Sequence, residues 1–146
     1  MGTPSPSGLH HGPFATTGVG ATFATPGTAG PARWPLGPGL EAAEIEAALH
    51  QLSRDPEVER MVLFGSRARG DARPGSDLDL LLILSGSLTR ERELQLRERA
   101  RALLLPVLSV DLDLLISDAA TARHWGGSRW HVLGHIQREG VPLDAA

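Results

Sequence analysis

The chain has 146 residues, a formal net charge of −3 and 14 basic side chains, all of them arginine, with no lysine, tyrosine or cysteine. One domain is the default for this length. The charge argues against wholesale nucleic-acid binding, and the lack of lysine excludes Schiff-base and Walker-type phosphate-lysine chemistry. No apolar stretch approaches the ~20 residues that span a bilayer, and the absence of cysteine fits a cytoplasmic location.

Residues 1–38 are dense in Gly, Pro, Ala, Thr and Ser, carry Arg33 as their only charged side chain, and show neither helical nor strand periodicity. Such a segment cannot bury enough apolar surface to offset its ordering entropy, so it is expected to be disordered. It has neither a basic n-region nor an apolar h-region, which makes it a poor signal peptide. His10 and His11 within it are too isolated to suggest a metal site. Residues 39–146 are expected to fold as one domain with a modest core and little room for a second, substrate-binding domain.

Residues 40–53 read as a helix, with Ile45, Ala48, Leu49 and Leu52 at i, i+3, i+4, i+7 spacing and Glu41, Glu44 and Glu46 in its first turns. Asp55-Pro56 ends it. Val58–Phe64 reads as a short strand closed by Gly65, and an Arg/Gly/Pro loop follows. Leu78–Leu84 is almost continuously apolar, as expected of a strand covered on both faces. Thr89 can cap a second helix with Leu96, Ala100 and Leu103 inward, stopped by Pro106. Residues 107–116 read as a third strand, with Ser109, Asp111, Asp113 and Leu115 on one face and an apolar row on the other. Ser117 or Asp118 can cap a helical turn reaching His124. Residues 128–139 read as a last helix with Val132, Leu133 and Ile136 inward, ended by Gly140, and residues 141–143 as an edge segment. The pattern predicts a small α/β (α+β) fold, a mixed sheet with helices packed against it.

The informative stretch is Gly65-Ser66, ten residues, then Asp77-Leu78-Asp79. In a strand Asp77 and Asp79 point the same way, about 6.6 Å apart. Their repulsion at that distance is about 2.5 kcal/mol at an effective dielectric of 20. Such a pair calls for a compensating cation, and hard divalent ions, Mg²⁺ above all, suit carboxylates. Asp111 or Asp113 from the next strand can complete a triad able to hold two metals. The Gly65-Ser66 turn suits a phosphate: glycine lets the backbone come close, and Ser66 opens a helix-like start. Arg67, Arg69 and Arg73 are candidates to offset triphosphate charge.

Gly-Ser-x10-Asp-x-Asp followed by a strand with a third Asp resembles the DNA polymerase beta-like nucleotidyltransferase superfamily. Gly65-Ser66-Arg67-Ala68-Arg69-Gly70 with Ser76-Asp77-Leu78-Asp79-Leu80 is similar to its minimal nucleotidyltransferase branch, as is the closing stretch from Gln137 to Leu143, where Asp144 stands in place of the aromatic often found there. The resemblance implies that Gly65 and Ser66 bind an ATP-like triphosphate and that Asp77 and Asp79 bind Mg²⁺. It makes Asp111 or Asp113 the third ligand and base, with Asp111 preferred as nearer mid-strand. It also implies an antitoxin role in a toxin–antitoxin system, with AMP transferred onto a tyrosine of a helical HEPN-type partner. The rival expectations are a non-catalytic partner-binding module and a small-molecule, aminoglycoside-like adenylyltransferase. His131 and His135 are read as a polar helix face rather than metal ligands, and Trp125 and Trp130 as core first, with a partner surface or an adenine-stacking wall as alternatives.

Overall fold

The computed structural model describes residues 34–143. His10, His11 and the remainder of the segment up to residue 33 lie outside the described residues. The described chain runs α1 (Ala43–Ser53), β1 (Val58–Phe64), α2 (Ser66–Arg69), β2 (Leu78–Leu84), α3 (Arg90–Leu104), β3 (Leu112–Asp118), α4 (Ala119–Trp125), α5 (Val132–Glu139) and β4 (Val141–Pro142).

The strands form one mixed sheet in the order β3-β2-β1-β4. β1 pairs antiparallel with both β2 and β4, whereas β2 and β3 run parallel, joined by α3 as the crossover helix. The continuous apolar run of β2 is explained by its place in the middle. Its even-numbered leucines face Ile45, Leu49 and Leu52 of α1 and Leu96, Ala100 and Leu104 of α3. Leu81 and Ile83 face Ala122 of α4 and Leu133 and Ile136 of α5. Asp79 is the one residue of β2 that is not buried.

Capping residues set several boundaries. Thr89 accepts from the Arg92 N–H at the start of α3. Asp118 accepts from the Thr121 N–H at the start of α4 and, with its other oxygen, from the Leu88 N–H. Asp55 takes both Nε and Nη2 of Arg99 at 2.8 and 3.1 Å, which ties the α1–β1 turn to α3.

Five expectations are corrected. The third strand starts at Leu112, not at residue 107, because Val107 and Leu108 turn their N–H groups back onto the Leu104 carbonyl after Pro106. The last helix starts at Val132 rather than residue 128: His131 is its N-cap, its Nδ1 accepting from Leu133, while Ser128 Oγ accepts from Trp130 and His131. Val132, expected inward, is 46% exposed, and Trp125 and Trp130 are not core, being 40% and 86% exposed. Trp125 stacks on His131 with ring centroids 4.6 Å apart. Lastly, residues 34–38 are packed on the domain although their composition reads as disordered. Leu36 is buried in the core, and Trp34 stacks on His50 and donates its N–H to Glu46. Two large apolar side chains suffice to anchor a Gly/Pro stretch.

Candidate active site

The Gly65-Ser66 turn lies between the end of β1 and α2. Gly65 has φ 77°, a conformation that favours glycine. A Cβ there would also collide with the Asp79 carboxylate. The pairing Phe64↔Asp79 explains this closeness, since the antiparallel register brings the chain leaving β1 across the start of β2. Two requirements, positive φ and no side chain, therefore meet at this residue. The Gly65 carbonyl accepts from Ala68 and Arg69, and that of Ser66 from Gly70 and Asp71, which closes α2 into a single tight turn.

The parallel register sets Asp79 opposite Asp113. The Asp79 pKa is raised from 3.8 to about 6, first by burial, then by the Asp113 and Asp77 charges and a hydrogen bond with Asp113; Arg69 opposes the rise. Asp77, Asp79 and Asp113 therefore form one electrostatic cluster with Arg69 at its edge. Asp111 does not take the place expected of it. It precedes β3 and contributes its backbone carbonyl to the Leu78 N–H at 2.8 Å, and it is Asp113 that stands beside Asp79. Both residues alternate correctly in sequence, and the strand register separates them.

Arg67 also departs from expectation. It is 2% exposed and donates to backbone carbonyls rather than facing the cluster with a free guanidinium, so it is not a phosphate ligand. Arg69 is half-exposed and pairs with Asp71 and, at 3.6 Å, with Glu139 of α5. Arg73 is exposed on the loop.

Beside the carboxylates is a cleft of about 300 Å³ lined by Phe64, Gly65, Arg69, Val132, His135, Ile136 and Glu139. Its walls are apolar, and its charged groups are Arg69 and Glu139. The cleft joins the Gly65 turn to α5, a contribution from the far end of the chain that sequence reading missed. The one available signal was the similarity of the closing segment around Glu139 to the minimal branch. His135 lines the cleft and lies 3.3 Å from Arg138, while His131 serves as a cap, so the two do not act as a metal pair.

Three carboxylates are the donor chemistry a hard divalent cation takes, and the raised Asp79 pKa reports burial first and then the Asp113 and Asp77 charges, both of which a bound cation would offset. Among the described residues, no three acidic, His or Cys side chains already converge as a finished metal cage. Asp77, exposed and one residue ahead of β2, is the member whose position depends on a loop.

Residues 43–127 match the family model of the nucleotidyltransferase domain, and the chain belongs to that family. It is an enzyme of the nucleotidyltransferase class. No curated protein matches it. The chain is also similar to solved structures. One, a toxin–antitoxin with AMP-PNP, is 23% identical over 69% of this chain and 73% of its own, with a TM-score of 0.46. A toxin–antitoxin MntA–HpeT mutant is 24% identical over 69% and 72%, at a TM-score of 0.45. A putative nucleotidyltransferase from Sulfolobus solfataricus is 20% identical over 67% and 78%, at 0.39.

Proposed function

We propose that this chain transfers a nucleoside monophosphate, AMP from ATP, to an acceptor hydroxyl on a partner protein, with Mg²⁺ bound by Asp77, Asp79 and Asp113. The observation that carries the reading is the pairing of Asp79 with Asp113 immediately beside the Gly65-Ser66 turn.

The Ser66 hydroxyl and the backbone of the turn bind the triphosphate, and Arg69 offsets part of its charge. Phe64, Val132 and Ile136 supply apolar walls for the nucleoside. Mg²⁺ supplies charge neutralisation and a lowered pKa for the attacking hydroxyl. The acceptor oxygen bonds to the α-phosphorus in line, the bond to the bridging oxygen breaks, and pyrophosphate leaves. Asp113 takes the acceptor proton.

A protein acceptor is favoured by the rim of the cleft. Val132 lines it and is 46% exposed, and Trp125 and Trp130, from the neighbouring segment, are also exposed. Exposed tryptophans near a cleft suit a partner surface better than bare solvent. The similarity of the Gly-Ser-Arg-Ala-Arg-Gly stretch to the minimal branch supports a helical HEPN-type toxin as the partner and its tyrosine as the acceptor. The test is intact-mass spectrometry of that partner co-expressed with this chain. An AMP adduct on tyrosine that disappears with Asp79→Asn is expected. Tight complex formation without any adduct would overturn the transfer reading, and turnover without a protein partner would overturn the acceptor.

A further inference from the structure

Arg67 sits at the junction of three stretches of chain. Its Nε donates to the carbonyls of Ser76 and Asp77, both at 3.2 Å. Its Nη1 donates to Leu36 and Pro38 at 2.9 and 2.8 Å. Its Nη2 donates to Ser76 at 2.8 Å and, at longer range, to Arg73 and Pro74. The planar five-donor fork of a guanidinium can serve several acceptors at fixed angles, which the point-like ammonium of lysine cannot. Arg67 thus ties α2, which carries it, to the loop that delivers Asp77 and to residues 36–38. The chain just past residue 38 also lies against the loop: a Cβ on Gly39, whose φ is 93°, would press on the Pro74 backbone. Burial lowers the Arg67 pKa, and the charges of Glu41, Asp79 and Asp77 oppose that shift.

We propose that Arg67 is a positioning residue for the metal site, fixing Asp77 relative to Asp79, and that residues 36–38 belong to the site because their carbonyls complete the fork. This rests on Asp77 being a metal ligand, as read above. Asp77 lies outside the β2 ladder, and its own carbonyl is one of the fork's acceptors. A partner that orients a ligand typically changes metal affinity by about 10–100-fold when altered.

The test is a calorimetric titration of Mn²⁺ into the full chain with a non-hydrolysable ATP analogue present. Arg67→Lys, which keeps the charge and loses the fork, is expected to raise the Mn²⁺ Kd by about tenfold or more. Asp77→Asn is expected to raise it as well, and the double variant is expected to bind no worse than Asp77→Asn alone. Losses that add in the double variant would overturn the proposal, because a residue acting through Asp77 has nothing left to act on once Asp77 is gone. An affinity changed by Asp77→Asn and untouched by Arg67→Lys would overturn it too. Indifference to Asp77→Asn would instead overturn the underlying metal reading. Should Arg67→Lys lose its circular-dichroism signature of the native fold, Trp34→Ala decides: it removes the stacking on His50 that anchors residues 34–38, weaker Mn²⁺ binding is expected, and unchanged affinity would overturn the proposal.

Discussion

At the scale of single residues, the carboxylates make two separable predictions. Asp113 and Asp111 are two positions apart and share strand parity, yet Asp113 faces Asp79 while Asp111 precedes the strand. Asp113→Asn is expected to lower transfer activity by about a hundredfold or more, as loss of a group acting in the transition state does. Asp111→Asn is expected to stay within a few fold, and equal losses for the two would refute the assignment. Asp79 makes the second prediction. Its folded pKa, about 6, lies above the ordinary 3.8. Its contribution to stability is therefore complete below 3.8 and is lost as the pH rises through 6. Metal-free Asp79→Asn is expected to melt higher than the parent at pH 7.5 and to lose that advantage near pH 4. Added Mg²⁺ with ATP is expected to raise the melting temperature of the parent and not of the variant. A variant that melts lower at pH 7.5 would show that Asp79 is held by partners, not strained by neighbours.

The element scale shows what could be read from the chain and what could not. Thr89 is legible as a cap, and Asp118 as one of two candidates beside Ser117, because a cap is a local arrangement, one oxygen within three residues of the N–H it accepts. β2 was visible because a strand covered on both faces leaves an unbroken apolar run. The choice between Asp111 and Asp113 was not visible, since register is decided by pairing with a distant strand. Arg67 was misread because an arginine in a Gly/Pro loop usually meets solvent. The loop's carbonyls lie outside any ladder and need donors, and that requirement was the available clue. The start of α5 was hidden by His131, an unusual cap, and by Ser128, whose hydroxyl bends the chain ahead of it. Asp118 offers the test at this scale. Its two oxygens hold α4 and the approach to α3 at once, and these hydrogen bonds keep its pKa below the ordinary carboxylate range. Asp118→Ala is expected to destabilise by about 1–2 kcal/mol in urea denaturation. A group with a lowered pKa contributes above its unfolded value and loses the contribution as the pH falls through the folded one. The difference between Asp118→Ala and its parent is therefore expected to shrink on acidification, and a gap that widens would contradict the capping role.

At the scale of the whole molecule, one strand serves both core and site. β2 is packed by α1 and α3 on one face and by α4 and α5 on the other, and the same strand begins at the carboxylate cluster. The sheet therefore cannot loosen around β2 without moving Asp79 away from Asp113 and from Gly65. This coupling makes a cavity in the core readable at the site. Leu82 is fully buried among the α1- and α3-facing residues and has no contact role in catalysis. Leu82→Ala is expected to destabilise by about 2–5 kcal/mol, a large part of the 5–15 kcal/mol typical of a domain, as an order of magnitude. Ligands that bind only the folded state should return part of that loss, roughly 2.7 kcal/mol at a hundred times the dissociation constant. ATP with Mg²⁺ is therefore expected to raise the melting temperature of Leu82→Ala substantially, while ATP with EDTA raises it little. The same addition to Leu82→Ala combined with Asp79→Asn should raise it no further, because the nucleotide then lacks its metal anchor. Equal rescue with and without Asp79 would mean that nucleotide binding and the carboxylate cluster are independent, and that β2 carries the core and the site without linking them.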